Sequence, residues 1–339
     1  MRRSESQVRA TEFGEIVVRD LARTFRRPVA SPGLIGAARQ VLRPRWANVE
    51  ALAGVSFEIA RGETVGYLGP NGAGKSTTLK LLAGVIQPTS GEVRVNGVDP
   101  AKARRSNARQ IGAVWGHRDG LWWDLPVRDS LQALRSIYRV DRTSFDRNLR
   151  ELTEVFGLAR VLDVPARQLS LGQRTRANLC AAFLHRPAVL FLDEPTIGLD
   201  APAKRRLRER LREIQRVQGT TVVLTSHDLE DVEEMCQRLI LIDSGKIAYD
   251  GGVEGVAAAF GALRVLRVDY VQGTLSTDLP HEFGARVQRE RDDRLAIHFD
   301  PRRIAPPDLL QLASTVGEVR DFSLEAEKIA SVIELVSAK

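Results

Sequence analysis

An α/β fold built around a parallel sheet is predicted by three features of this sequence. From Thr64 onward the order runs strand (TVGYL), glycine-rich loop, helix. Ala188–Leu192 (AVLFL) and Thr220–Leu224 (TTVVL) are short apolar runs without alternation, the pattern of strands covered on both faces. Helical segments lie between these runs, as right-handed crossovers between parallel strands require.

The elements follow in order. Glu15–Leu21 (EIVVRDL) and Ala51–Ile59 (ALAGVSFEI) carry β-branched residues and strand-like alternation. An insertion, residues 26–48, separates them. Within it Leu34, Ala38, Val41 and Leu42 stand at helical spacing opposite Arg39, Gln40 and Arg43, between Pro32-Gly33 and Pro44, which predicts a short amphipathic helix. Three surfaces suit its apolar face: lipid headgroups, a membrane protein, or the body of its own domain. From about Pro126 to Leu184 the pattern is almost purely helical, so a helical subdomain is expected at about 118–184. After Gly261 the character changes. Leu266, Val268 and Tyr270 alternate with charges, Arg286–Arg291 and Leu295–Phe299 flank an Asp292-Asp293 turn, and Asp308–Val316 and Glu325–Val336 read as helices. The expected division is a tail at 1–14, a main domain at 15–255 and a small α+β module at 256–339.

Composition narrows the function. The 339 residues allow one large domain and an appendage, and 43% hydrophobic against 27% charged residues is the balance of a globular protein. No apolar run reaches the roughly 18–20 residues of a membrane-crossing helix, and the Met1-Arg2-Arg3-Ser4 start lacks the apolar segment of a signal peptide. If a membrane is involved, a second chain is expected to cross it. The two cysteines, Cys180 and Cys236, both fall in segments that read as helices, which predicts neither disulfide nor zinc site and fits a reducing compartment. Lysines and arginines number 50 against 43 acids, a net charge of +7. The excess is local: Arg23, Arg26, Arg27, Arg39, Arg43 and Arg45 lie between Asp20 and Glu50 with no acid among them. A solvated basic face explains such a cluster as readily as nucleic acid or anionic lipid does.

The strongest chemical signal is Gly69-Pro70-Asn71-Gly72-Ala73-Gly74-Lys75-Ser76-Thr77. Glycines at this spacing let backbone N–H groups curl round a phosphate, the lysine reaches the outer phosphates, and the serine hydroxyl ligates Mg²⁺. The following helix directs its positive end at the same anion. Asp193-Glu194 closes the apolar strand AVLFL. A carboxylate at the C-terminal end of a parallel strand beside a phosphate loop can hold Mg²⁺ and the next one can polarise a water, so Asp193 is assigned to the metal and Glu194 to the general base.

Three further segments make the loop more than a generic one. Leu169-Ser170-Leu171-Gly172-Gln173 resembles the LSGGQ signature of ABC ATPases, with Leu171 in place of the middle glycine. Gly198-Leu199-Asp200 resembles their D-loop, and His227 their switch histidine. Phosphate loop, signature, acidic pair, D-loop and histidine follow in the family's order across about 15–252. The resemblance implies a P-loop NTPase fold with a RecA-like core, an antiparallel β subdomain and a helical subdomain, carrying the α+β module at its C-terminal end. It also implies a composite site. ATP with Mg²⁺ would lie between the phosphate loop of one subunit and Ser170, Gly172 and Gln173 of another, with Lys75 on the outer phosphates, His227 on the γ-phosphate or the attacking water, and Asp200 of the D-loop among the nucleotide-binding residues. In the family an aromatic residue stacks on adenine; Phe25 is favoured here and Trp46 is its rival.

One departure stands out. Where the strand Ile111–Gly116 should lead into a Mg²⁺-contacting glutamine, this chain has His117. Imidazole suits Mg²⁺ less well than an amide oxygen, which predicts slower or more pH-dependent turnover. WWDLP (122–126), LSLGQR and FLDEPTIGLD look most like the ATPase subunits of ABC-2 type exporters, particularly a drug or viologen efflux group. In Trp122-Trp123 one tryptophan is expected in the core and one exposed, for docking a permease. The resemblance thus implies a homo- or heterodimer on the cytoplasmic face of the cell membrane, attached to a separate permease. Two alternatives are a soluble ABC ATPase acting on ribosomes or DNA, and a P-loop kinase. A single set of motifs without a long coiled coil argues against the first, so nucleic acid is not an expected partner; the signature, D-loop and histidine would be idle in the second.

Overall fold

The computed structural model describes residues 14–28, 46–116, 119–226, 229–259, 264–273, 275 and 285–326. The chain divides into two compact units, residues 1–250 and 251–339, so the second begins a few residues before the expected 256.

The first unit opens with β1 (Ile16–Pro28) and β2 (Trp46–Ile59), followed by β3 (Thr64–Leu68), α1 (Lys75–Leu82), β4 (Ser90–Val95), α2 (Arg104–Gln110) and β5 (Ile111–Val114). Three helices come next, α3 (Val127–Tyr138), α4 (Arg142–Phe156) and α5 (Leu171–Phe183), with a 3₁₀ turn at Ala166–Gln168. The unit continues with β6 (Val189–Asp193), α6 (Ala201–Gln218), β7 (Thr221–Thr225), α7 (Leu229–Met235), β8 (Arg238–Asp243) and all but the last two residues of β9 (Lys246–Gly252).

Two sheets result. An antiparallel one has the order β2-β1-β4, and a six-stranded one has the order β5-β6-β7-β3-β8-β9. The pairings β5–β6, β6–β7, β7–β3 and β3–β8 are parallel. The apolar runs foretell these strands well: β3 and β7 are buried at every position. Ile16, Leu21, Leu52, Phe57, Tyr67, Leu79 and Phe191 join both sheets and α1 in one core. At about 1.5–3 kcal/mol for each large apolar side chain fully buried, this core dominates the stability of the unit.

β1 and β2 run further than the sequence suggests. Phe25 pairs with Val49 and Pro28 with Trp46, so residues 26–28 and 46–48 belong to a hairpin and not to the expected insertion 26–48. Cross-strand hydrogen bonding carries these polar ends beyond the apolar stretch that betrays a strand. The amphipathic helix expected around Leu34–Leu42 lies outside the described residues.

Local chemistry fixes the helix ends. The Asp141 carboxylate accepts from Ser144 N (2.9 Å) to start α4, and Gly157 ends it in the left-handed conformation (φ 62°). Asp200 does the same for α6, accepting from Ala203 N at 2.8 Å. Cys180 is buried within α5; Cys236 is also buried but follows the last residue of α7 instead of lying inside it. Neither tryptophan of the pair is a core anchor: Trp122 is 42% and Trp123 51% exposed, and the buried residue there is Leu121.

The second unit contains α8 (Gly255–Ala259), β10 (Arg264–Tyr270), β11 (Arg286–Arg291), β12 (Arg294–Phe299), α9 (Pro306–Ala313) and β13 (Val319–Ala326). Its sheet is antiparallel in the order β11-β12-β10-β13. Leu266, Val268, Tyr270, Leu295, Ile297 and Phe299 pack with Leu309 and Ala313 of α9. Glu325 and Ala326 were expected to begin a helix; they end β13, paired with Val265 and Arg264. The remainder of that expected helix lies outside the described residues.

Candidate functional site

The parallel sheet gathers the chemistry at the C-terminal ends of its strands, where α/β folds place ligands. β3 delivers the glycine loop, β6 the acidic pair, and β7 the residue beside them. Two glycines of the loop are dictated by space. A Cβ on Gly69 would stand 2.0 Å from the Ile242 carbonyl oxygen, and one on Gly74 (φ 112°) 2.6 Å from that of Ala51. Gly74 is the N-cap of α1 and offers no side-chain cap, which leaves the first N–H groups of the helix to the loop's concavity.

Lys75 is buried, and its Nζ donates to the carbonyl oxygens of Gly69 (2.6 Å) and Pro70 (3.0 Å). Burial pulls its pKa below the ordinary lysine value, while the charges of Glu194 and Asp193 act in the opposite direction. The Ser76 hydroxyl donates to Asp193 Oδ2 at 3.0 Å. From the other side the Thr225 hydroxyl donates to Asp193 Oδ1 at 2.7 Å. Glu194 has φ 56°, in the left-handed region, and its N–H reaches both the carbonyl and the hydroxyl oxygen of Thr225, each at 3.2 Å.

A cavity of about 370 Å³ is lined by Phe25, Asn71, Gly72, Gly74, Lys75, Ser76, Thr77, Asp193 and Glu194. Arg27, Val49, Glu50 and Ala51 of the hairpin also line it. Phe25 therefore flanks the phosphate loop, with the Arg23 guanidinium 4.5 Å from its ring centroid. Trp46 is 58% exposed and does not line the cavity. Pro70 and Ala73 complete the loop, joined by Ala73 N donating to Pro70 O at 3.2 Å. His117 and His227 lie outside the described residues.

The signature segment forms the N-terminus of α5. Ser170 is its N-cap in a capping box: the Ser170 hydroxyl accepts from Gln173 N (3.3 Å), and Gln173 Oε1 accepts from Ser170 N (2.9 Å). Gly172 is required by close approach, since a Cβ there would lie 2.5 Å from Gly198 O. The Thr175 hydroxyl donates to Ile197 O at 3.1 Å, tying α5 to the segment between the acidic pair and α6. Leu171, in the place of a glycine, is 50% exposed. Ser170, Gly172, Gln173 and Asp200 are not among the residues that line the phosphate-loop cavity of the same chain. Asp200 has its carboxylate engaged as the cap of α6.

Three contributors escaped sequence reasoning. Arg27 and Glu50 lie outside the strands read from the sequence, and the β1–β2 pairing brings them to the cavity; Thr225 does not line the cavity but stands beside Asp193 through the β6–β7 register. A hydroxyl ending an otherwise apolar run, TVVLT, is the single signal the sequence carries for Thr225.

Residues 52–197 match the protein family described as ABC transporter. The ATP-binding protein NatA of Bacillus subtilis is 32% identical over 208 residues, spanning 61% of this chain and 84% of that protein. The daunorubicin resistance ATP-binding protein DrrA3 of Streptomyces coeruleorubidus is 30% identical over 289 residues, covering 84% and 88%. The Nod factor export ATP-binding protein I of Ralstonia nicotianae is 36% identical over 211 residues, covering 62% and 65%. Among solved structures, an ATP-binding subunit of an ABC transporter superposes with a TM-score of 0.61 at 27% identity, covering 72% of this chain and 92% of that one. A dimeric ATP-binding cassette bound to ADP and Pi superposes with a TM-score of 0.59 at 23% identity, which shows the shared fold. With a phosphate loop, an acidic pair and a serine-capped signature helix in their places, this chain belongs to the ABC transporter family, as an ATP-binding ATPase subunit.

Proposed function

We propose that this chain powers an ABC-2 type exporter: two ATPase subunits close on ATP at the cytoplasmic face of the membrane and drive a separate permease. The observation that carries this reading is a division of labour within one chain. The anion-binding loop and both carboxylates share one cavity, while the serine-led tip of α5 lies outside its lining. A second copy, or a similar subunit, supplies that tip. The names of two relatives, a Nod factor export ATP-binding protein and a daunorubicin resistance ATP-binding protein, support the direction of transport.

Hydrolysis adds water to the γ-phosphorus and releases ADP and phosphate. Lys75 places its charge on the outer phosphates, and the loop N–H groups hold the oxygens as charge develops. The Glu194 carboxylate accepts the proton of the attacking water. Phe25 offers a face on which adenine stacks. Ser76 Oγ and Asp193 Oδ2, 3.0 Å apart, are adjacent hard oxygen donors that fit Mg²⁺. When bound, the cation neutralises phosphate charge. His227 is assigned to the γ-phosphate, and His117 to the position that senses the permease.

The test is ATP-dependent dimerisation of Glu194→Gln. Light scattering at saturating ATP and Mg²⁺ should give twice the monomer mass, alone or after addition of a similar subunit encoded beside it. A protein that stays monomeric in both mixtures overturns the composite site.

A further inference from the structure

We propose that Thr225 is a positioning residue for hydrolysis: one buried hydroxyl at the end of β7 holds the Asp193 carboxylate that ends β6 and the backbone amide of Glu194 that follows it. The parallel register places Thr225 directly beside Asp193. Thr225 is fully buried, its one proton is given to Asp193 Oδ1 (2.7 Å), and its oxygen accepts from Glu194 N (3.2 Å). A hydroxyl has one donor and two acceptor sites, so this one group can serve a carboxylate and an amide at once.

The two contacts do different things. Holding Oδ1 prevents rotation of the Asp193 carboxylate and leaves Oδ2 turned toward Ser76 at 3.0 Å. Holding the Glu194 amide, together with the Thr225 carbonyl, keeps that residue at φ 56°, a conformation that non-glycine residues adopt only when their surroundings enforce it. The direction in which the Glu194 side chain leaves the backbone follows from that φ. Packing does not explain the residue type. The strand's interior is served by Val222, Val223 and Leu224, its other threonine, Thr221, uses its hydroxyl on Gly14 O, and valine has the shape of threonine without the hydroxyl.

The inference rests on assigning Asp193 to the cation and Glu194 to the base, and the experiment separates the two ideas. Thr225→Val, Thr225→Ser and Glu194→Gln are compared with the unaltered chain, assembled with its partner subunits. For Thr225→Val, kcat for ATP should fall about tenfold or more while KM changes less than about twofold, because ground-state binding by the loop is untouched. Manganese(II), titrated by electron paramagnetic resonance in the presence of a non-hydrolysable ATP analogue, should bind about tenfold more weakly. Nucleotide binding in EDTA should be unchanged. Thr225→Ser should recover kcat to within about threefold. A Thr225→Val kcat within about twofold of the unaltered chain, or a serine variant as impaired as the valine one, overturns the proposal. Hydrolysis retained by Glu194→Gln overturns instead the assignment on which it rests. If Thr225→Val loses nucleotide binding in EDTA through misfolding, Thr225→Ala against Thr225→Ser decides by the same kcat criteria.

Discussion

The two largest sheets of this molecule bury their residues in opposite ways. In the parallel sheet, β3 and β7 are covered at every position. In the second unit, β10 and β12 are covered mainly on the side that meets α9, and the other side carries ion pairs such as Arg294–Asp269 (2.6 Å) and Arg267–Glu290 (3.0 Å). Buried polar and charged side chains follow the same split. Lys75, Thr78, Thr225 and Asp231 are examples in the first unit, whereas among the described residues of the second only the Tyr270 hydroxyl is comparable, donating to Ala313 O at 3.0 Å. A sheet covered on both faces can hold charges and hydroxyls dry and fixed at its strand ends, where they act strongly on a ligand. A half-covered sheet leaves its charges to water, where they contribute little.

Removing the buried cation breaks this comparison most directly. Lys75→Ala should lower ATP hydrolysis by about 100-fold or more, while thermal unfolding shifts by only a few degrees. An unfolded variant, or one with activity kept, shows that the lysine serves packing instead of phosphate.

A smaller effect comes from His185, which follows α5. It is half-buried, its ring stacks on Tyr138 at 3.8 Å, and Nε2 lies 3.0 Å from Ile111 O. Burial lowers its pKa from 6.5 to about 4. The unfolded chain therefore takes up the proton first. The stability linked to this group is fully present above about pH 6.5 and is lost as pH falls toward 4, about 3 kcal/mol at most. Denaturant unfolding of His185→Gln should show a flatter pH dependence across that window. An unchanged slope means that other groups govern acid stability.

The smallest effect is expected on the second sheet. Phe322 is 51% exposed on β13, so Phe322→Ser should change stability by less than about 0.5 kcal/mol. A shift of several degrees in the melting curve would mean that this edge is covered in the working protein.

Much of the site is legible in the sequence because its parts are local. The glycine loop is one run of nine residues, Gly69–Thr77, and the Ser170–Gln173 capping box spans four consecutive residues. The strands that fail to announce themselves are those held by partners. The polar ends of β1 and β2 are strand only because they pair with each other. Trp122 and Trp123 mislead in another way: their size suggests a core, yet Leu121 fills it. Glu325–Ala326 carries a helix-like pattern, but pairing with β10 makes it the end of a strand.

By itself the sequence determined the order of strand, loop and helix and displayed the glycine loop and the acidic pair, the residues proposed above to hold phosphate and metal. Each motif is a run of neighbouring residues and so shows in the sequence, whereas the space that Gly69 and Gly74 must spare is set by the distant Ile242 and Ala51. Only the tertiary structure decided that Thr225 stands over Asp193 and Glu194, that Phe25 rather than Trp46 lines the cavity, and that the signature helix turns its serine elsewhere. Strand order and register bring together groups more than thirty residues apart, and nothing in the spacing of either segment encodes that meeting.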